Sequence, residues 1–153
     1  MNLTLNRIRL LMEFFGTFII SICINLSTQY QNTLQLINWS LIFTGYFCAI
    51  YITKNISGAH LNPSTTLSII LYKQNKHNTD VIHLNKRLNY YLYFITQIAG
   101  SFFACFISSL LNKDHIFRFS LPNKVYIYHA FLAEIIFCFI HNYIFLCLSK
   151  VFF

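Results

Sequence analysis

The chain alternates long apolar runs with short polar connections. Four runs, at about residues 10–26, 37–53, 88–111 and 126–150, read as membrane-spanning helices. Each approaches the ~20 residues that a ~30 Å hydrocarbon core requires. A fifth segment breaks the rule. Asn62-Pro63 follows the second run, and only ten residues, Pro63 to Tyr72, separate that break from Lys73. Pro belongs at the first position of a helix, where its missing N–H costs nothing, and Asn before it is a favoured N-cap. At ~1.5 Å per residue such a helix is about 15 Å long, half the hydrocarbon thickness. The pattern therefore predicts an all-α membrane protein. One domain over 1–153 would hold four transmembrane helices and a re-entrant half-helix at 63–72, its N-terminus near the midplane.

Composition supports lipid as the solvent. Hydrophobic residues make up 56% of the chain and charged residues 10%, against roughly 25% charged in soluble proteins. The net charge of +7 raises nucleic acid as a partner. The basic residues form no stripe, however; they sit between apolar runs, as in loops that face a cytoplasm. Arg7, Arg9, Lys54, Lys73, Lys76, Lys86 and Arg87 fall on one side, against Lys113, Arg118 and Lys124 on the other. That bias predicts a cytoplasmic N-terminus, with nothing to specify which membrane. Arg7 and Arg9 ahead of an apolar run imitate a signal peptide, but Glu13 inside the run and the lack of a small-residue cleavage site argue against one.

The five cysteines (Cys23, Cys48, Cys105, Cys138 and Cys147) lie in apolar runs without a CxxC pair and read as small buried hydrophobes. His77, His83, His115, His129 and His141 show no ligand spacing, so neither a metal nor another cofactor is expected. Enzyme chemistry has no support: there is no nucleophile elbow, phosphate loop or carboxylate pair.

Two features carry the chemistry. Around Asn62, "SGAH" leaves the helix at a depth where irregular backbone is tolerated only against protein or a wet cavity. The carbonyls of Ser57, Gly58, Ala59 and His60 could face such a cavity. The half-helix N-terminus brings roughly +0.5 of a charge, which repels cations. The Asn62 amide can donate to a neutral solute while its oxygen caps the helix. These groups describe a pore for polar neutral molecules that disfavours cations, hydronium included. The second feature is a weak repeat: "LMEFFGTFI" from Leu11 and "LAEIIFCFI" from Leu132 align without gaps, pairing Glu13 with Glu134. Three helices separate the two starts, so the second copy enters from the opposite side, as in an inverted repeat.

"ISGAHLNPSTTL" resembles the first signature loop of the aquaporin and aquaglyceroporin (major intrinsic protein) family, SGAHxNPAxT. "MEFFGTF", with Glu13, Gly16 and Thr17, resembles its first helix. Gly45 resembles a glycine of the second helix, and Gln97 and Gly100 the Gln-x-x-Gly of the third. All four glycines of the chain fall at family-like positions. The resemblance implies an aquaporin-like helical bundle and a channel for water or a small neutral solute such as glycerol. It places Gly58, Ala59, His60, Asn62, Pro63 and Ser64 at the pore, Ile42 at the second-helix constriction, and Glu13, Gln97 and Glu134 behind the loops as braces. It also suggests a homo-tetramer.

The chain departs from the pattern at Ser64, where alanine is usual, and at Phe137 and Cys138, where Gly and Thr are. The family's second half, with its own NPA loop and filter arginine, is not in these 153 residues. The fold is then an incomplete six-helix one, and the chain as given is expected not to conduct as a normal monomer. The alternative is a non-conducting fragment or the assembly partner of a complementary half-channel. Residue-level alternatives also stand: Glu13 and Glu134 either accept buried hydrogen bonds or snorkel to an interface, Gln97 either braces the loop or bonds between helices, and Asn62-Pro63 is either a pore tip or an ordinary turn.

Overall fold

The computed structural model describes residues 3–29, 35–76, 81–111 and 126–152. They form five helices: α1 (Leu3–Gln29), α2 (Gln35–Ser57), α3 (Pro63–Lys76), α4 (Val81–Leu111) and α5 (Ile127–Phe152). Four contain apolar stretches long enough to cross a membrane: Leu5–Thr28, Gln35–Ser57, Tyr90–Leu111 and Ile127–Leu148. The helices outrun the apolar segments that mark them. α1 begins at Leu3, α4 at Val81, and α3 continues to Lys76. Hydropathy senses where lipid ends, not where backbone hydrogen bonding ends, so polar flanking turns are invisible to it. The connection carrying Lys113, Arg118 and Lys124 lies outside the described residues.

The helix α1 is the centre, packed between α2 and α4, while α3 rests on α4 and α5. The α1–α4 contact depends on Gly100: a Cβ there would lie 2.5 Å from the Phe14 carbonyl oxygen and 3.3 Å from the Phe18 nitrogen. Backbone cannot rotate away as a side chain can, so only glycine allows this approach. Around it, Ser21 Oγ donates to Ser101 Oγ at 3.1 Å, and Phe103 packs on Phe14 and Phe18 with ring centroids 6.1 and 5.6 Å apart.

Polarity is distributed inside out. The largest fully buried side chains are Gln97, Glu13, Thr53, Thr65, Thr66 and Ser108, whereas Phe102, Phe131 and Phe139 are about 70% exposed. Apolar side chains gain nothing by leaving lipid, so polar residues collect where helices can satisfy them. The cysteines follow the same logic rather than the expected burial: Cys23, Cys48, Cys105 and Cys138 are partly exposed, and Cys147 is exposed. None of the α5 span is buried; among the described elements, α5 packs only on α3.

Candidate functional site

The segment from Ser57 to Asn62 joins α2 to α3 through a conformation that few residues adopt. Gly58 has φ +94°, and Ala59 and Leu61 have φ +51° and +53°. Left-handed backbone suits glycine, but costs roughly 1–2 kcal/mol at each residue that carries a Cβ. Surrounding bonds must therefore hold Ala59 and Leu61 in place.

Glu13 supplies most of that hold. It is fully buried, and its carboxylate accepts the His60 N–H at 3.1 Å through Oε1 and the Leu61 N–H at 2.7 Å through Oε2. Gln97 Nε2 donates to the same Oε2 at 2.8 Å. Hydrogen bonds to an ionised group contribute about 1.5–3 kcal/mol each, so three of them outweigh the strain at Ala59 and Leu61. Further donors fix the carbonyls. Arg9 Nε donates to the Ile56 oxygen at 3.2 Å and Tyr93 Oη to the Ser57 oxygen at 3.1 Å. Leu61 tucks its side chain against Gly16, where a Cβ would collide with it.

The α3 helix starts at Asn62 as the sequence implies. Asn62 Oδ1 accepts the Ser64 N–H at 2.9 Å, and its backbone oxygen accepts the Thr66 N–H at 3.1 Å. Thr66 Oγ1 is the junction of the network: it lies 3.2 Å from the Asn62 oxygen, 3.1 Å from Gln97 Nε2 and 3.2 Å from His60 Nδ1. One assignment satisfies all three: Thr66 donates to Asn62 and accepts from Gln97 and from a protonated His60 Nδ1. The His60 ring sits among Tyr90, Tyr93 and Phe145, at centroid distances of 5.6, 5.1 and 6.4 Å. Burial, with Lys73 nearby, pushes its imidazole down to about 3, so the ring is neutral.

Three carbonyls remain. Those of Gly58, Ala59 and His60 accept no hydrogen bond from the described residues, and Asn62 Nδ2 donates to none of them. The sequence-derived residues thus divide. Glu13, Gln97 and His60 meet in one buried network beside Gly58, Ala59 and Asn62. Pro63 and Ser64 form the first turn of α3. Ile42 lies apart on α2, half-buried, at helical spacing from Gly45 and Ala49 on the face toward α1; its neighbour Phe43 is exposed and stacks on Phe47. Glu134 joins none of this: its side chain is exposed on α5, and no described backbone lies against it as residues 60 and 61 lie against Glu13. Thr66 and Tyr93 were not singled out from the sequence, and Arg9 was read there only as a flanking charge. Tyr93 stands one turn before Gln97 and two before Gly100, a spacing that could have revealed it.

The major intrinsic protein family model matches residues 4–150. The chain belongs to that family. It is therefore an integral, multi-pass membrane protein with an aquaporin-like all-α fold. It is 33% identical over 119 residues, 74% of its length, to the glycerol uptake facilitator protein of Buchnera aphidicola subsp. Acyrthosiphon pisum (strain APS). The match spans 41% of that relative's length. No solved structure matches the chain significantly.

Proposed function

We propose that this member of the family forms one wall of a passive channel for water or a small neutral solute of the glycerol class, with its N-terminus cytoplasmic. The observation that carries the reading is the strip at residues 58–62: three carbonyls without a donor among the described residues, followed by the undonated amide of Asn62 at a helix N-terminus. Acceptors and a donor in sequence replace a neutral solute's water shell, while the helix dipole, roughly +0.5 of a charge, opposes cations. The relative's name, a glycerol uptake facilitator, is consistent with such a solute. A pore of this kind needs a second half-helix meeting the first, from the same polypeptide or another, and tetramer formation remains part of the proposal.

The alternative, an assembly partner that does not conduct alone, gains no support from α5: Glu134 and the apolar residues around it are exposed among the described residues, but apolar side chains gain nothing by leaving lipid. Water-edited solid-state NMR of the chain in bilayers tests the first reading. Rapid magnetisation transfer from water to the carbonyls of Gly58, Ala59 and His60, but not to Glu13 or Gln97, is the expected result; dry carbonyls refute it. Swelling of liposomes holding only this polypeptide tests that need for a second half-helix. Flux at the level of empty vesicles fits a wall that awaits its second half, and rapid flux removes the need for one.

A further inference from the structure

Most hydroxyls on these helices donate back to a carbonyl three or four residues earlier, a common competitor for side-chain protons. Thr44 bonds Ser40, Thr53 bonds Ala49, Thr66 bonds Asn62 and Ser68 bonds Ser64 in this way. Ser64 does not. The carbonyl four residues before it belongs to His60, one of the three left without a described donor. The Ser64 hydroxyl is held instead from another helix: Asn142 Nδ2 of α5 donates to Ser64 Oγ at 3.3 Å, while Asn142 Oδ1 accepts from Thr65 Oγ1 at 2.9 Å. Thr65 is fully buried, whereas Asn62, Ser64 and Asn142 are each half-exposed.

We infer that Asn142 is a positioning residue for solute recognition, acting through Ser64. By holding the Ser64 oxygen toward α5, it keeps the hydroxyl proton off the His60 carbonyl. Among the described residues, three groups then stand open around the tip of α3: the Ser64 O–H donor, the His60 carbonyl acceptor and the Asn62 Nδ2 donor. A carboxamide has four hydrogen-bonding positions, and Asn142 uses two among the described residues, so its second N–H is a further donor at the same rim. Donors and acceptors interleaved in this way suit a neutral solute with hydroxyls on adjacent carbons better than a mono-alcohol, because each vicinal hydroxyl both gives and takes a bond. An alanine at position 64 would have no hydroxyl to place, so the arrangement belongs to this chain's Ser64 and Asn142 together. The inference rests on the reading of the 58–62 strip as a solute path.

The test uses the chain in lipid bilayers with 15N-labelled asparagine, following the side-chain amides of Asn62 and Asn142, the latter assigned by its loss in Asn142→Leu. Glycerol is titrated against 1-propanol, which matches it in carbon number but has one hydroxyl. The expected result is a saturable shift of both amides with glycerol and a weaker one with 1-propanol. Ser64→Ala should raise the glycerol half-saturation about fivefold, as for one lost hydrogen bond, and Ser64→Thr should restore it. Amide exchange at His60 and Leu61 should stay unchanged in Ser64→Ala, because Thr65 still ties α3 to Asn142. A response at Asn62 alone, or a Ser64→Ala titration equal to the parent's, overturns the inference and leaves Asn142 a tie between helices, with the solute path intact. Silence at both amides together with dry loop carbonyls overturns the path and the inference with it.

Discussion

Replacing Glu13 by Gln separates the carboxylate's hydrogen bonding from its size. The side chain keeps its volume in a site with no free surface but has one acceptor oxygen instead of two. The best placement puts the amide oxygen where Oε2 stands, keeping the bonds from Leu61 and Gln97 at 2.7 and 2.8 Å. The new NH2 then faces the His60 N–H, which lost its acceptor at 3.1 Å. An orphaned buried donor costs about 1–3 kcal/mol, and two charge-assisted bonds that become neutral each weaken by about 1 kcal/mol. The loop should therefore lose about 3–5 kcal/mol of local stability, comparable to the strain it stores at Ala59 and Leu61. At 1.4 kcal/mol per decade, opening becomes roughly 100- to 3,000-fold more frequent. Hydrogen exchange in bilayers should show this at the His60 and Leu61 amides, with α1 and α4 little changed. Glu134→Gln is the control: the same chemical change at an exposed residue should leave both amides unaffected. Unchanged exchange at His60 and Leu61 in Glu13→Gln, or equal acceleration along the whole of α1, would refute the assignment of the loop's stability to this carboxylate.

Three other outcomes follow from the geometry. Gly100→Ala pushes a Cβ against the Phe14 backbone at 2.5 Å, so α1 and α4 must part; overpacking of this kind costs about 1–3 kcal/mol, read as an earlier midpoint in detergent unfolding. An unchanged midpoint would show that the helices separate freely. Tyr93→Phe keeps the ring against His60 at 5.1 Å but removes the donor to Ser57; leaving that carbonyl buried and unpaired costs about 1–3 kcal/mol and should speed exchange around Gly58 without moving the α4 span. His60, held near 3 against an ordinary 6.5, stays neutral from pH 8 down to pH 5. The unfolded chain binds a proton near pH 6.5 and the folded one does not, so the loop loses stability as pH falls from 6.5 toward 3. The imidazole 15N shifts should stay flat to pH 5, and a midpoint near 6.5 would contradict the buried placement.

The half-helix was legible because its signals are local. Asn62 and Pro63 specify where the helix starts with no reference to the rest of the chain. The role of Glu13 was less so. A carboxylate one turn beyond Arg9 also reads as a snorkelling residue, and only the resemblance set it behind the loop. Thr66, Tyr93 and Asn142 escaped because each acts through a partner distant in sequence; Asn142 meets Ser64 across 78 residues. Helix ends escaped for another reason. Where α1 begins and α3 stops is decided by continued backbone bonding through polar residues, which apolar patterning does not record.

The repeat joins these points. Glu13 and Glu134 hold matching places in similar nine-residue stretches, yet one accepts three hydrogen bonds and the other is exposed. Local sequence therefore cannot decide what a membrane carboxylate does; the decision belongs to the backbone that lies against it. For Glu13 that backbone is the 58–62 segment, three of whose residues have positive φ, which presents the consecutive N–H groups of His60 and Leu61 to a single carboxylate. The strain at Ala59 and Leu61 is thus the geometric condition for burying the charge. An acidic side chain within a span costs ~2.5–3.5 kcal/mol on insertion scales unless it finds such partners, and Glu13 finds three donors.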